Sequence, residues 1–197
     1  MFSIGLIGAR LSYHDKIKHE AEKYGWGLIL IHKDVLKEVI EKKLKEQGKI
    51  RILDVGSWNC LLWNWIKSNF SKYIPYIKYI GVDVLKPPNL VEDAEFHVMS
   101  PTYLMFPSNY FDIVTMIEVL EHIFDYTLAL REAYRVLKHN GILFIQSVIC
   151  YDHNALLDET HYHVLHPATL ERLLNHLGFE VLEIISGGNF VVVAKKK

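Results

Sequence analysis

Ile50-Arg51-Ile52-Leu53-Asp54-Val55-Gly56 is a short, nearly unbroken apolar run that stops at an acid and a glycine. Strands buried on both faces read this way, because helices cover both sides of a parallel sheet. Three later runs have the same character: Tyr79-Ile80-Gly81-Val82-Asp83-Val84 with Pro87-Pro88 behind it, Phe111 to Ile117, and Ile142 to Ile149. Helical patterns lie between them. Residues 61–70 follow the first run, and residues 126–138 precede the last, opened by Asp125 as N-cap and closed by Asn140-Gly141. Residues 167–177 set Pro167 in a first turn and Leu170, Leu173, Leu174 and Leu177 on one face, and end at Gly178.

Upstream, residues 14–24 and 33–47 pattern as helices. In the second, Val35, Leu36, Val39, Ile40 and Leu44 recur at helical spacing and Gly48 follows as a stop. Downstream, residues 179–185 and 190–194 flank Gly187-Gly188-Asn189 and read as a hairpin. Strand and helix alternate and an antiparallel pair closes the series. The expected fold is an open α/β sheet with helices on both faces, which binds ligands at the carboxyl ends of its strands.

The chain has 197 residues, 50% hydrophobic and 23% charged, which suits one domain and excludes a disordered or fibrous chain. No run is long and apolar enough for a membrane span. The start, Met1-Phe2-Ser3-Ile4-Gly5, meets Arg10 early and does not read as a secretion signal. Cys60 and Cys150 lack metal-type spacing, and with no secretion signal they point to the reducing cytoplasm. The net charge of −1 gives no general affinity for phosphates. Residues 1–50 carry ten Lys/Arg against seven Asp/Glu, a local excess that could meet an anionic substrate but reads first as a solvated helix face.

Several residues fall where the strand-end rule wants them. Asp54 and Gly56 end the first strand, Asp83 the second, and Met116, Ile117 and Glu118 the run that begins at Phe111. A carboxylate at the end of the second strand can accept from both hydroxyls of a ribose. A glycine after the first lets backbone approach a ligand. In this order they favour a nucleoside-bearing cofactor.

Leu53-Asp54-Val55-Gly56-Ser57-Trp58-Asn59-Cys60 resembles the first motif of the class I S-adenosylmethionine-dependent methyltransferases. The resemblance continues through Gly81-Val82-Asp83, Leu104 to Val114, Glu118-Val119-Leu120-Glu121-His122, Ala129 to Lys138, Asn140-Gly141, His166 to Leu174 and Gly178 to Val181. It spans about 50–197 and is most specific from Phe111 to Gly141; the pattern is that of the type 11, ubiquinone/menaquinone-pathway-like members. It implies a Rossmann-like, seven-stranded sheet with an antiparallel last strand. It also divides the chain into an N-terminal helical lid, 1–49, and an S-adenosylmethionine-binding domain, 50–197.

For the site, the resemblance implies Asp54, Gly56, Ser57 and Trp58 along the methionine end of S-adenosylmethionine. Asp83, with Val84, would hold the ribose, and Met99, Ser100 and Pro101 would lie beside the adenine. Backbone near Met116 and Ile117 would meet the methionine amino group. Two positions depart from the family. Trp58 and Cys60 stand where its loop has the second and third of three alternating glycines, and a side chain at Cys60 is expected to crowd the cofactor. Ser100 stands where many relatives have Asp, so charge assistance to the adenine amine is lost.

Methyl transfer asks mainly for alignment and exclusion of water, with a base where the nucleophile must lose a proton. His122 is the candidate base, since it follows the strand from Phe111 to Ile117 and histidine titrates near neutrality. A metal is the sharper alternative. Glu118 and His122 share a face if their turn is helical, and Glu121 and His163 complete a ligand set for Mg²⁺ or a softer divalent ion. This arrangement is similar to the small-RNA 3′-end 2′-O-methyltransferases and the ubiquinone-pathway O-methyltransferases.

Trp58, Trp63 and Trp65 could wall a flat substrate, with Trp63 read as core; Met99, Met105 and Met116 read as gap fillers, and Lys195-Lys196-Lys197 as a solvated end. The leading function is a methyltransferase acting on a small-molecule acceptor, lidded by Tyr13, Tyr24 and Trp26 of the N-terminal arm and by residues 150–166. Metal-dependent RNA 2′-O-methylation is the alternative, disfavoured by near-neutral charge and only five arginines. A third reading is a degenerate methyltransferase fold serving as a binding module, motivated by Trp58, Cys60 and Ser100. A nicotinamide-dependent dehydrogenase would want a glycine-rich turn that residues 56–61 do not supply. A homodimer is compatible with this sequence.

Overall fold

A computed structural model describes residues 30–197. The expected helix at 14–24 and the lid aromatics Tyr13, Tyr24 and Trp26 lie outside the described residues. The strands are β1 (Ile50–Val55), β2 (Ile77–Asp83), β3 (Glu95–Val98), β4 (Phe111–Ile117), β5 (Leu137–Ser147), β6 (Phe179–Gly187) and β7 (Asn189–Lys196). The helices are α1 (Lys33–Gln47), α2 (Leu61–Asn69), α3 (Tyr126–Val136), α4 (His153–Leu157) and α5 (Pro167–His176). The seven strands form one sheet in the order β3-β2-β1-β4-β5-β7-β6. β7 runs antiparallel to both β5 and β6, and the other pairs are parallel. This is the class I, Rossmann-like sheet that the sequence led us to expect.

Alternation along the buried strands splits the core in two. Leu53 and Val55 of β1 join Ala129, Leu130 and Ala133 of α3 and Leu170 and Leu174 of α5 on one face. Ile50 and Ile52 join Leu36, Ile40 and Leu44 of α1 and Leu62, Trp63 and Ile66 of α2 on the other. Both faces of the central strands therefore meet helices, which is why their runs read as continuously apolar. Gly48 ends α1 with φ +73, and Asp125 caps α3 by accepting the N–H of Leu128 at 3.3 Å.

Three local expectations need correction. α3 ends at Val136, and Leu137 is already extended and paired with Phe111. Asn140-Gly141 lies inside β5, where Asn140 takes φ +62, and does not stop a helix. Lys196 is buried, not solvated: its ammonium donates to Tyr134 O, Leu137 O and Asn109 Oδ1 at 2.7–2.9 Å, covering carbonyls at the end of α3. Met105 is exposed and fills no gap. No helix among the described residues is long and apolar enough to cross a membrane.

Candidate cofactor and transfer site

Parallel pairing in register brings the chemistry to one rim. Asp54 sits opposite Gly81, Val55 opposite Val82, and Asp83 opposite Val98. On the other side Val55 faces Met116, and Ile117 faces Gln146. The strand ends open onto a cavity of about 760 Å³. Its lining includes the expected Asp54, Gly56, Ser57, Trp58, Asp83, Val84, Met99, Ser100, Ile117, Glu118 and His122. Met116 is not on that wall: it is fully buried in the face that packs on α3.

The loop after β1 turns sharply. Gly56 and Ser57 both donate N–H to Val82 O, at 2.8 and 3.0 Å, so the loop folds over the tip of β2. Gly56, Trp58 and Cys60 all have positive φ, at +74, +44 and +64. These are the three alternating positions that the family fills with glycine, and a left-handed backbone is the reason. A Cβ on Gly56 would run into the Val119 side chain. Cys60 does not crowd the cavity as expected. Its side chain is fully buried and off the cavity wall, packed against the space that Gly81 leaves open.

Asp83 projects from the tip of β2. Its Oδ2 accepts the N–H of Trp58 at 3.0 Å and its Oδ1 accepts that of Leu85 at 3.4 Å. The same carboxylate lines the cavity. Asp54 is nearly inaccessible and is gripped from below. Tyr79 donates its O–H to Oδ2 at 2.6 Å, and Thr115 donates to Oδ1 at 2.7 Å. Burial outweighs those bonds and pushes Asp54 up to about 6. Ser100 shares a hydrogen bond of 2.7 Å with Thr102 and stays exposed at the far end of the cavity.

Beyond β4, Glu118 takes φ +50, so the turn does not continue as the helix that would align Glu118 with His122. Glu118 Oε1 accepts from Gln146 Nε2 and Asn189 Nδ2, both at 2.7 Å. Gln146 Oε1 in turn accepts the N–H of Ile31 at 2.9 Å. Glu121 is buried and accepts from Ser147 Oγ at 2.9 Å. Burial, then the nearby Glu118, drives Glu121 well above the usual carboxylate range. His122 Nδ1 donates to Thr160 O at 3.1 Å, which makes Nε2 the basic nitrogen of the neutral ring. Burial pulls His122 down to about 4.

One ligand atom from each of Glu121, His122 and His161 lies within 4.8 Å of the others. Of the expected set, Glu121 and His122 come together, while Glu118 and His163 stay outside the cluster. His163 Nε2 instead donates to Phe124 O at 2.8 Å, and Glu118, still beside Glu121, accepts from Gln146 and Asn189. His161, two residues earlier, stands in the cluster in the position expected of His163, and its Nδ1 donates to Ala155 O at 2.8 Å. Of the three tryptophans offered as a wall, only Trp58 lines the cavity; Trp63 stacks on Tyr79 in the core, with ring centroids 5.3 Å apart, and Trp65 packs beside it. Cavity residues that sequence reasoning missed include Asn59, Phe124, Leu128 and Tyr162.

A family model described as a methyltransferase domain matches residues 31–184. The chain belongs to this methyltransferase family. Its fold is shared with an S-adenosylmethionine-dependent methyltransferase from Methanosarcina mazei, at 19% identity and TM-score 0.63, over 80% of this chain and 96% of that one. A second such enzyme, from Archaeoglobus fulgidus, gives 21% identity and TM-score 0.62 over 81% and 94%. The [4+2]-cyclase SpnF gives 19% and 0.64 over 83% and 80%. No curated protein matches the sequence. The SpnF match is a reminder that the sheet fixes a site and not a reaction.

Proposed function

We propose that this methyltransferase carries a methyl group from S-adenosylmethionine to a small-molecule acceptor. The observation that supports it best is the meeting of two acid-tipped strands at one cavity, with Asp83 facing it and tied to Trp58. The residues fit the cofactor. Gly56, which lines the cavity, lets the backbone turn there at φ +74 with Val119 packed against it, and the described lining residues carry the acids Asp54, Asp83, Glu118 and Asp125 with no Lys or Arg. That sign of charge suits a ligand with a net positive charge.

When bound, S-adenosylmethionine supplies a methyl group activated on a positive sulfur. Asp83 is the acceptor for the ribose hydroxyls, with Val84 beside it. Met99, Ser100 and Pro101 flank the adenine. Asp54, Gly56, Ser57, Trp58 and the end of β4 at Ile117 bound the methionine portion. His122, neutral and on the cavity wall, receives the proton of the acceptor through Nε2. The segment 158–163 shields this end: Tyr162 and His163 donate their N–H groups to Glu121 O, at 2.9 and 3.3 Å.

Calorimetric titration with S-adenosylhomocysteine tests the reading. Saturable binding at micromolar to millimolar concentration is expected; its absence would favour a binding module with a degenerate cofactor site. A second reading, favoured by the convergence of Glu121, His122 and His161, is that a divalent cation assists the transfer. Two imidazoles and one carboxylate suit Mn²⁺ or Zn²⁺ better than Mg²⁺, which prefers oxygen ligands. Loss of turnover in EDTA with recovery on adding Mn²⁺ supports it, and full turnover in EDTA rejects it.

A further inference from the structure

We infer that the acceptor is a flat, largely apolar molecule without carboxylate or phosphate, seated against Phe124 and Tyr162 at the mouth of the cavity. The inference rests on the methyl-transfer reading above and names its substrate class. The rings of Phe124 and Tyr162 meet edge to face, with centroids 5.5 Å apart and planes at 90°. Both line the cavity, as does Leu128. Yet Phe124 is 73% exposed, Tyr162 45% and Leu128 44%.

Three large apolar side chains thus come to one lip from three parts of the chain: the turn after β4, the first turn of α3, and the segment before α5. The lip is held in place. Tyr162 is anchored through its N–H to Glu121 O at 2.9 Å, and His163 holds the carbonyl of Phe124 at 2.8 Å. Apolar surface fixed at the edge of a ligand cavity is what a flat apolar ligand covers. His122, two residues before Phe124, lines the same cavity.

Charge narrows the class. Among the described lining residues the acids are Asp54, Asp83, Glu118 and Asp125, with no Lys or Arg. A carboxylate or phosphate on the acceptor would meet a wall of its own sign with no Lys or Arg among the described lining residues to pair it, and such a juxtaposition selects against the wrong ligand. An uncharged ring meets no such opposition.

The test uses the full chain saturated with S-adenosylhomocysteine and two probes of one shape, 2-naphthol and 2-naphthoate, titrated by ligand-observed NMR. Naphthol is expected to bind at least about tenfold more tightly than naphthoate. Phe124→Ala and Tyr162→Ala should each weaken naphthol about tenfold, the size of one lost aromatic contact. Phe124 is outside both cores, so its alanine variant folds as the parent does. Naphthoate binding as well as naphthol, or naphthol binding unchanged in both variants, overturns the inference. If S-adenosylhomocysteine binds and naphthol does not, only the substrate class fails; if S-adenosylhomocysteine does not bind, the methyl-transfer reading fails first and the inference with it.

Discussion

The backbone N–H of Trp58 donates to Oδ2 of Asp83 at 3.0 Å, so the loop that closes β1 is latched to the tip of β2. Asp83 holds the loop and places its carboxylate on the cavity wall. Asp83→Ala removes both. Hydrogen bonds to a charged group contribute about 1.5–3 kcal/mol, so S-adenosylhomocysteine affinity should fall about 10- to 100-fold. Asp83→Asn keeps one acceptor oxygen and should fall between. Titration calorimetry on both variants decides it, and wild-type affinity in Asp83→Ala removes the ribose assignment.

Cys60 and Gly81 divide one space. A Cβ on Gly81 would lie 2.5 Å from Cys60 Sγ and 2.6 Å from Ser57 Oγ. Gly81→Ala should therefore cost about 1–3 kcal/mol through overpacking. Adding Cys60→Gly should return part of it, by clearing the sulfur and relieving a left-handed backbone at φ +64. Urea denaturation of the two single variants and the double variant measures the coupling. Strict additivity would show that the two residues do not share the space.

The same pair marks what could be read in the sequence. β1, β2 and β4 were legible because both their faces are buried and no polar alternation interrupts them. β3 was not, since Glu95–Val98 is a short edge strand with mostly exposed side chains and no apolar run. The acids at 54 and 83 were legible because parallel register places strand ends side by side. That Trp58 and Cys60 adopt the conformation of glycine was not, because nothing local to either residue announces a positive φ. The choice between His161 and His163 also escaped, since the loop that carries them has no period to tell which side chain turns inward. Lys196 read as tail because its three carbonyl partners come from residues 109–137, far away in sequence.

Asp54 makes stability depend on pH. Burial raises it from 3.8 to about 6, so the folded chain keeps a proton that the unfolded chain has already lost. A raised acid contributes stability below its unfolded value and loses it as pH rises through the folded value. Asp54→Asn abolishes this titration and keeps the shape. Relative to the variant, wild type should lose about 1–2 kcal/mol between pH 5 and pH 8. Denaturation curves at the two pH values test this, and an equal difference at both would contradict the buried-acid account.

His122 separates chemistry from binding. Its ring is buried beside Thr160 and His161, and burial holds it near 4, so it is already neutral from pH 6 to 8. A proton acceptor of this kind gives a rate that is flat across that range, without the inflection near 6.5 that an exposed histidine would impose. His122→Ala should leave S-adenosylhomocysteine affinity within about twofold and slow transfer about 10²- to 10⁴-fold, the ordinary contribution of a positioned base. Both measurements belong on EDTA-treated protein, so that a bound cation cannot hold the ring. An inflection near 6.5 in the wild-type rate, or unchanged kcat in His122→Ala, would remove His122 from the proton path and leave alignment of the acceptor as the whole of the catalysis.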